Sequence, residues 1–263
     1  MGIVVVILVL AFFILAIAAS LRSNNSRIES IAPQNETHEK PLSKYRESAR
    51  LHAAPKNLSA LLPRQFVVLD IETTGLDRYG DEIIEIGAIR VSLDSDNHTT
   101  FQVLVRPDRK VPKKITQLTG ITQDMIDRDG IHIKEALVQF AEFTGELPLV
   151  TFNAEFDMTF LLVAARNHGI TMGNTYTCAL KRARRAWPGL SSYRLVDLAR
   201  MGKLETNDTH RVLGDCQRAL IVFISATSVL GQKVRWTKPR SLGGDGRQRI
   251  PSAKVAADTI KSV

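Results

Sequence analysis

The sequence predicts an α/β domain, a mixed β-sheet flanked by helices, preceded by one membrane-spanning helix. Three observations support this prediction. Apolar runs of strand length come first in the central part of the chain, and helical patterns alternate with strands further on. The first 21 residues contain no charged side chain. Strands followed by β–α units indicate a mixed sheet with helices on its faces.

The individual elements follow from hydrophobic periodicity and from the turn residues between the runs. Strands are predicted at 66–71, 83–91, 101–105, 149–152 and 175–179, and helices at 132–144, 154–167 and 212–230.

The apolar segment 1–21 has the length and composition of a membrane anchor. As a helix it would reach about 31 Å, close to the ~30 Å thickness of the hydrocarbon core of a bilayer. A cleavable signal peptide is the alternative, and 16–18 offers a small-residue cleavage pattern, but no Lys or Arg precedes the apolar stretch. The first charges, Arg22 and Arg27, follow it, which predicts that the rest of the chain lies in the cytoplasm.

Charge is distributed unevenly along the 263 residues, which hold 35 Lys and Arg against 27 Asp and Glu. Residues 22–62 are predicted to be a flexible linker, 63–231 a globular domain, and 232–263 a basic, disordered tail. The net charges of these three parts are +3, −1 and +6. The high pI is therefore a property of the flanks and does not by itself indicate a nucleic-acid-binding core.

The chain has two cysteines, Cys178 and Cys216. This number excludes a disulfide-rich scaffold and a four-cysteine zinc site. Both lie in apolar surroundings, which predicts buried free thiols and suits a reducing cytoplasm.

Two carboxylates end the first predicted strand. Asp70 and Glu72 are two residues apart, so they project from the same face of the strand. Two neighbouring carboxylates repel one another, and a divalent ion such as Mg²⁺ or Mn²⁺ would compensate. Taken alone, the pair is also compatible with a strand end whose acids face water.

Two further acidic positions fit the same chemistry. Asp157 lies near the start of a predicted helix, where an acid is also a common partner of the helix dipole. His210 and Asp215 would lie about 140° apart if both were helical. They can share a site only if His210 precedes the helix.

The three segments together resemble the DEDDh family of 3′–5′ exonucleases, the DnaQ-like family of the proofreading epsilon subunit of bacterial DNA polymerase. The resemblance covers about 66–230 of the chain. Its motifs are Asp70-x-Glu72, Asn153-x-x-Phe156-Asp157, His210-x-x-x-x-Asp215, Thr73-Thr74-Gly75-Leu76 and Leu118-Thr119-Gly120-Ile121-Thr122. The resemblance implies a ribonuclease H-like fold, with five strands of which the second is antiparallel to the others.

The resemblance also implies a role for each motif residue. The carboxylates of Asp70, Glu72, Asp157 and Asp215 would bind two Mg²⁺ or Mn²⁺ ions, and His210 would be the general base. The 3′-terminal nucleotide would be contacted by Thr73, Thr74 and Leu76, with Asn153 as a supporting hydrogen-bonding residue.

The sequence is compatible with three functions. The first is a membrane-tethered exonuclease that acts on single-stranded or 3′-ended DNA, and the second is an RNA-trimming enzyme of the same family. The third is a non-catalytic scaffold for a polymerase or repair complex, although no polymerase-binding segment is evident. A basic run at 181–185 is predicted either to contact the nucleic acid backbone or to form a solvated helix face.

Overall fold

The computed structural model of the chain describes residues 58–94, 98–202 and 211–239. The strands are β1 (Gln65–Thr73), β2 (Ile83–Ser92), β3 (Thr99–Leu104), β4 (Leu149–Thr151) and β5 (Tyr176–Cys178). The α-helices are α1 (Lys113–Thr119), α2 (Gln123–Asp129), α3 (Ile133–Thr144), α4 (Ala154–Asn167), α5 (Ala179–Ala186), α6 (Leu195–Met201) and α7 (Val212–Leu230). The predicted membrane helix at 1–21, most of the linker, His210 and the end of the tail lie outside the described residues.

The strands form one mixed sheet in the order β3-β2-β1-β4-β5. Strand β2 is antiparallel to β1 and to β3, whereas β1, β4 and β5 are parallel. The predicted five-stranded sheet with an antiparallel second strand is therefore confirmed.

All predicted strands and helices within the described residues are present, with ends that shift by at most two residues. Helices α1, α2 and α6 were not predicted. Each has seven residues and only one or two buried side chains, so none of them shows an apolar stripe over several turns.

Helix α7 is the central helix of the domain. It packs against β1 and β2, and most of it is buried. Among the described residues it is the one helix that is long and apolar enough to cross a membrane, but its burial is that of a core helix. Gly87 on β2 allows its close approach, because a Cβ there would lie 2.3 Å from Cγ2 of Val212. Gly87 pairs with Asp70, so the start of α7 lies beside this carboxylate.

The packed domain extends past both predicted boundaries at 63 and 231. Leu62 is buried in the core after a 3-10 turn at Leu58–Ala60. At the other end Val234 is also buried, and Thr237 forms a β-bridge with Tyr176 on the edge strand β5. The first residues of the predicted disordered tail are thus held by apolar burial and backbone hydrogen bonds.

Candidate active site

Three carboxylates meet near the carboxyl end of the central strand, β1. Asp70 and Glu72 project from the end of β1, and Asp215 lies in the first turn of α7. Carboxylate oxygens of the three residues all lie within 4.8 Å of one another. The arrangement follows from the two-residue spacing on β1 and from the close approach of α7 at Gly87.

The electrostatics of this cluster suit a bound cation. Burial raises the pKa of Asp70 well above its usual value, and the charges of Asp157, Glu72 and Asp215 raise it further. The carboxylates therefore destabilise one another when ionised, and a divalent cation would relieve this repulsion. Since all the oxygen donors are hard ligands, Mg²⁺ or Mn²⁺ fits the donor set.

Asp157 adjoins the cluster from the first turn of α4. It is buried, and the Thr151 hydroxyl on β4 donates a hydrogen bond to its Oδ2. Burial raises the pKa of Asp157 to about 7, against the opposing effect of the hydrogen bond from Thr151. The Asp157 charge is the largest electrostatic contributor to the raised pKa of Asp70, which places the two carboxylates in one site.

A basic residue that sequence reasoning missed orients Asp215. Nη1 of Arg218 lies 2.5 Å from Oδ1 of Asp215, and both side chains are almost fully buried. The i,i+3 spacing on a helix is the signal that could have identified this pair. Arg218 supplies positive charge next to the three acids and restricts the position of one of them.

Cys216 is buried beside the same cluster. Burial raises the pKa of its thiol well above the usual value, and the nearby Asp70 charge raises it further. Its thiol donates a hydrogen bond to the carbonyl oxygen of Gly87, with 3.6 Å between the sulfur and the oxygen. The raised pKa favours the protonated thiol, which is a weaker metal ligand than the thiolate. Both cysteines are free and buried, as predicted.

An ion pair between a buried glutamate and a partly exposed arginine holds the start of α7. Glu85 on β2 is fully buried and accepts hydrogen bonds from Nη2 and Nε of Arg211, at 2.7 and 3.2 Å. Arg211 precedes the first helical residue of α7, Val212. The described part of the helix therefore begins at Val212. His210 lies outside the described residues, so its place beside Asp215 stays a prediction.

The loop after β1 exposes two large hydrophobic side chains. Leu76 is 60% exposed and Tyr79 is 64% exposed. The Thr73 hydroxyl donates to the carbonyl oxygen of Gly75, and the Thr74 hydroxyl donates to Asp81. Both threonines thus stabilise the loop that presents Leu76. Since each hydroxyl already donates its hydrogen, it could donate to a nucleotide only by exchanging one of these bonds.

Asn153 lies at the start of α4, directly after β4, which is the strand next to β1 in the sheet. It occupies the N-cap position but makes no side-chain capping bond, and its side chain is half-buried. Phe156, in the first turn, packs against Phe160 with 4.9 Å between ring centroids. Phe156 is therefore a packing residue, and the Asn153 amide is available beside Asp157.

Comparison with protein families identifies the chain. The family model described as RNase T-type exonuclease matches residues 67–223, which is more than half of the sequence. The chain belongs to the exonuclease family. The resemblance to DEDDh-type, DnaQ-like exonucleases is thereby confirmed.

Two relatives of this exonuclease-family chain are bacterial DNA polymerase components. It is 35% identical over 178 residues to the DNA polymerase III subunit epsilon of Aquifex aeolicus, covering 66% of this chain and 87% of that protein. It is 38% identical over 165 residues to the PolC-type DNA polymerase III of Caldanaerobacter subterraneus, covering 63% of this chain. The chain spans only 12% of the length of this second relative.

Solved structures share the fold at low identity. E. coli exonuclease I in its zinc-bound complex with single-stranded DNA matches with a TM-score of 0.53 and 20% identity, over 62% of this chain and 40% of that chain. The nuclease domain of 3′hExo, a DEDDh family member bound to rAMP, matches with a TM-score of 0.55 and 18% identity, over 66% of this chain and 96% of that chain. The predicted ribonuclease H-like fold is confirmed by these matches.

The raised carboxyl pKa values predict a pH dependence for the stability of the metal-free exonuclease-family protein. The pKa of Asp157 is about 7 in the folded protein, against an ordinary value of 3.8. Between these two pH values the folded protein keeps a proton on Asp157 that the unfolded chain has released. The free energy of unfolding should therefore decrease as the pH rises through this interval, by up to a few kcal/mol. Urea unfolding from pH 5 to 8 with a chelator measures this, and Asp157→Asn should flatten the profile. Parallel profiles for the two proteins would contradict the assignment.

The ion pair between Glu85 and Arg211 predicts a linked loss of stability and activity. Glu85→Gln removes the charge that binds Arg211, so the free energy of unfolding should fall by about 1–3 kcal/mol. Since α7 carries Asp215, kcat should fall more than the affinity for substrate. Thermal unfolding and steady-state kinetics test this, with the exposed Glu142→Gln as a control. Unchanged stability and kcat would show that the pair does not hold the helix.

Proposed function

We propose that the protein is a metal-dependent 3′–5′ exonuclease that hydrolyses phosphodiester bonds at the 3′ end of nucleic acid, with DNA as the favoured substrate. The observation that carries this proposal is the cluster of Asp70, Glu72 and Asp215, with oxygens within 4.8 Å and Asp157 adjoining it. Mutually repelling carboxylates lower the stability of the fold unless they bind cations. Bound cations beside a loop with an exposed apolar side chain would serve phosphoryl chemistry.

Each carboxylate has a place in holding the ions. The charges of the other three acids all act on Asp70, which would contribute to both metal positions. Glu72 and Asp215 would contribute to one of these positions and Asp157 to the other. Bound Mg²⁺ or Mn²⁺ would supply positive charge to the phosphate and the leaving oxygen and would lower the pKa of the attacking water. Arg218 would keep the Asp215 carboxylate oriented towards the site.

His210 would act as the general base. It would accept a proton from the attacking water, while that oxygen bonds to phosphorus and the bond to the 3′ oxygen of the preceding nucleotide breaks. The leaving oxygen then takes up a proton from solvent, which releases a nucleoside 5′-monophosphate and a strand shortened by one unit. The ion pair between Glu85 and Arg211 restrains the residue next to His210 in sequence.

The terminal nucleotide would be held between the loop after β1 and the start of α4. The exposed Leu76 offers an apolar surface for a base, and the uncommitted Asn153 amide offers hydrogen bonds. Thr73 and Thr74 would act mainly by fixing the loop.

DNA is favoured because two relatives, at 38% and 35% identity, are named as DNA polymerase III components. RNA is the alternative substrate, because the 3′hExo nuclease domain with this fold was solved with rAMP. The two substrates differ at the sugar 2′-hydroxyl, so a direct comparison of rates decides between them.

The test uses the purified full chain freed of metal, with 5′-labelled single-stranded DNA and RNA of the same sequence. We expect a ladder that shortens from the 3′ end only when Mg²⁺ or Mn²⁺ is added, and the faster substrate identifies the preferred nucleic acid. Asp70→Ala is the negative control. A folded wild-type protein that degrades neither substrate, yet still binds them, would favour the non-catalytic scaffold.

We further propose that residues 1–21 anchor the enzyme in a membrane as a single span, with the catalytic domain in the cytoplasm. The support is the uncharged apolar segment and the basic residues that follow it. The full chain should remain with membranes in high salt and be released by detergent, whereas a chain lacking 1–21 should be soluble. Release of the full chain by salt alone would contradict the anchor.

A further inference from the structure

A second concave site lies at the outer edge of the sheet, beyond β5. It has a volume of about 410 Å³ and is formed between α4, β5, α5 and the segment after α7. Only β4 separates β5 from β1, so this edge lies roughly 10 Å from the strand that carries Asp70. Glu155, in the wall of the pocket, precedes Asp157 by two residues in the same helical turn.

A buried arginine lines this pocket. Arg182 is only 5% exposed, and its guanidinium donates to two neutral acceptors, the Thr227 hydroxyl at 2.9 Å and the Gln232 carbonyl at 2.8 Å. No carboxylate in the described part of the chain forms an ion pair with it. A buried guanidinium without an anion is unfavourable by several kcal/mol, so the pocket already carries an uncompensated positive charge.

The rim of the pocket adds three further basic side chains, Lys181, Arg185 and Arg235, against the single acid Glu155. Lys181 and Arg235 are exposed, and Arg185 is held by the side chain of Gln232 at 2.9 Å. Burial lowers the pKa of Arg182 to about 10, and the nearby positive charge of Arg185 is a second, smaller cause. The two guanidinium groups therefore repel one another. An anion in the pocket would relieve this repulsion.

We propose that this pocket binds a phosphate group of the substrate strand, upstream of the phosphate that the carboxylate site hydrolyses. The inference rests on the proposed exonuclease function and adds a second anchoring point for the polyanion. Only part of the basic run of α5 belongs to this pocket. Arg184 stacks on Tyr193 and does not line it.

A nucleic acid strand fits this site better than a small anion would. The pocket is open at its rim, where Lys181 and Arg235 are exposed, and it shares the first turn of α4 with the candidate metal site. Guanidinium groups recognise phosphate oxygens by charge-assisted hydrogen bonds, without reference to base sequence. The contact would therefore strengthen binding equally for all sequences.

The test compares two double variants of the full chain with the same change in net charge. Lys181→Ala/Arg235→Ala removes two rim charges, whereas Lys233→Ala/Lys238→Ala removes two exposed charges that do not line the pocket. Binding of fluorescent single strands is measured by anisotropy with Ca²⁺ in place of Mg²⁺, for a dinucleoside monophosphate and a 16-mer, over a range of salt concentrations. Hydrolysis of the p-nitrophenyl ester of thymidine 5′-monophosphate is measured separately.

For the pocket variant we expect roughly tenfold weaker binding of the 16-mer. The plot of log affinity against log salt should become shallower by about 0.7, the value for one phosphate contact on a single strand. The dinucleoside monophosphate has one phosphate, which the carboxylate site takes, so its affinity should not change. The control variant should bind both ligands as the wild type does.

Three results would overturn the proposal. These are an equal loss in both double variants, an equal loss for both ligand lengths, or unchanged binding of the 16-mer by the pocket variant. Binding to vesicles of phosphatidylcholine with phosphatidylserine is measured as well. If the pocket variant lost only vesicle binding, the pocket would be assigned to lipid headgroups instead. Absence of ester hydrolysis by the wild type would argue against the exonuclease, while the binding data would still decide the role of the pocket.

Discussion

Asp70→Asn should reduce exonuclease activity by at least about 10³-fold. In the proposed mechanism Asp70 is a ligand of both metal positions, so its loss removes several kcal/mol of transition-state stabilisation. Asparagine has nearly the same shape but lacks the charge that holds the cations. Because the pKa of Asp70 is raised by burial and by its acidic neighbours, removal of its charge should not destabilise the metal-free fold. Release of labelled nucleotide at saturating Mg²⁺ and thermal unfolding without metal measure the two effects.

A matched control for this substitution is Asp124→Asn, because Asp124 is an exposed acid in the first turn of α2, away from the site. It should keep full activity. Titration with Mn²⁺ should show weaker or fewer sites in Asp70→Asn alone. An active Asp70→Asn protein would show that the carboxylate cluster is not the reaction centre.

His210→Ala should lower kcat by about 10²–10⁴-fold, the usual scale for loss of a general base. Metal binding should persist, because the oxygen ligands of Asp70, Glu72 and Asp215 are unchanged. The rise of the rate on the acidic side of the pH profile should also be lost, since this side reports the titration of an essential base.

His98→Ala serves as the control for this variant, because His98 is exposed and belongs to none of the site motifs. Equal rates for His210→Ala and the wild type would reject His210 as the base. A loss of Mn²⁺ binding in His210→Ala would instead assign this residue to the geometry of the metal site.

Much of the site could be predicted from sequence because its main residues obey local rules. Asp70 and Glu72 share a face because side chains alternate along a strand. The range of α7 was predicted without error from its apolar pattern, and this range places Asp215 in the first turn. The identity of the five motif residues and the family resemblance needed no coordinates.

Other features depend on contacts between distant parts of the chain. Glu85 belongs to none of the sequence motifs, and only packing shows that its partner is Arg211, 126 residues away. Thr151 reaches Asp157 because β4 and the first turn of α4 fold together. The short helices α1, α2 and α6 lack a periodic apolar stripe, so their formation depends on their surroundings.

The sequence by itself determined the fold class, the order of the strands along the chain, the acidic motif and the family. The tertiary structure decided which groups face one another: the approach of α7 at Gly87, the pairing of Arg218 with Asp215, and the grouping of Arg182 and Arg235 around one pocket. The physical reason is that strand and helix periodicity assigns side chains to faces locally. Burial, distance and charge compensation depend instead on which faces meet, and that is a property of the whole packed domain.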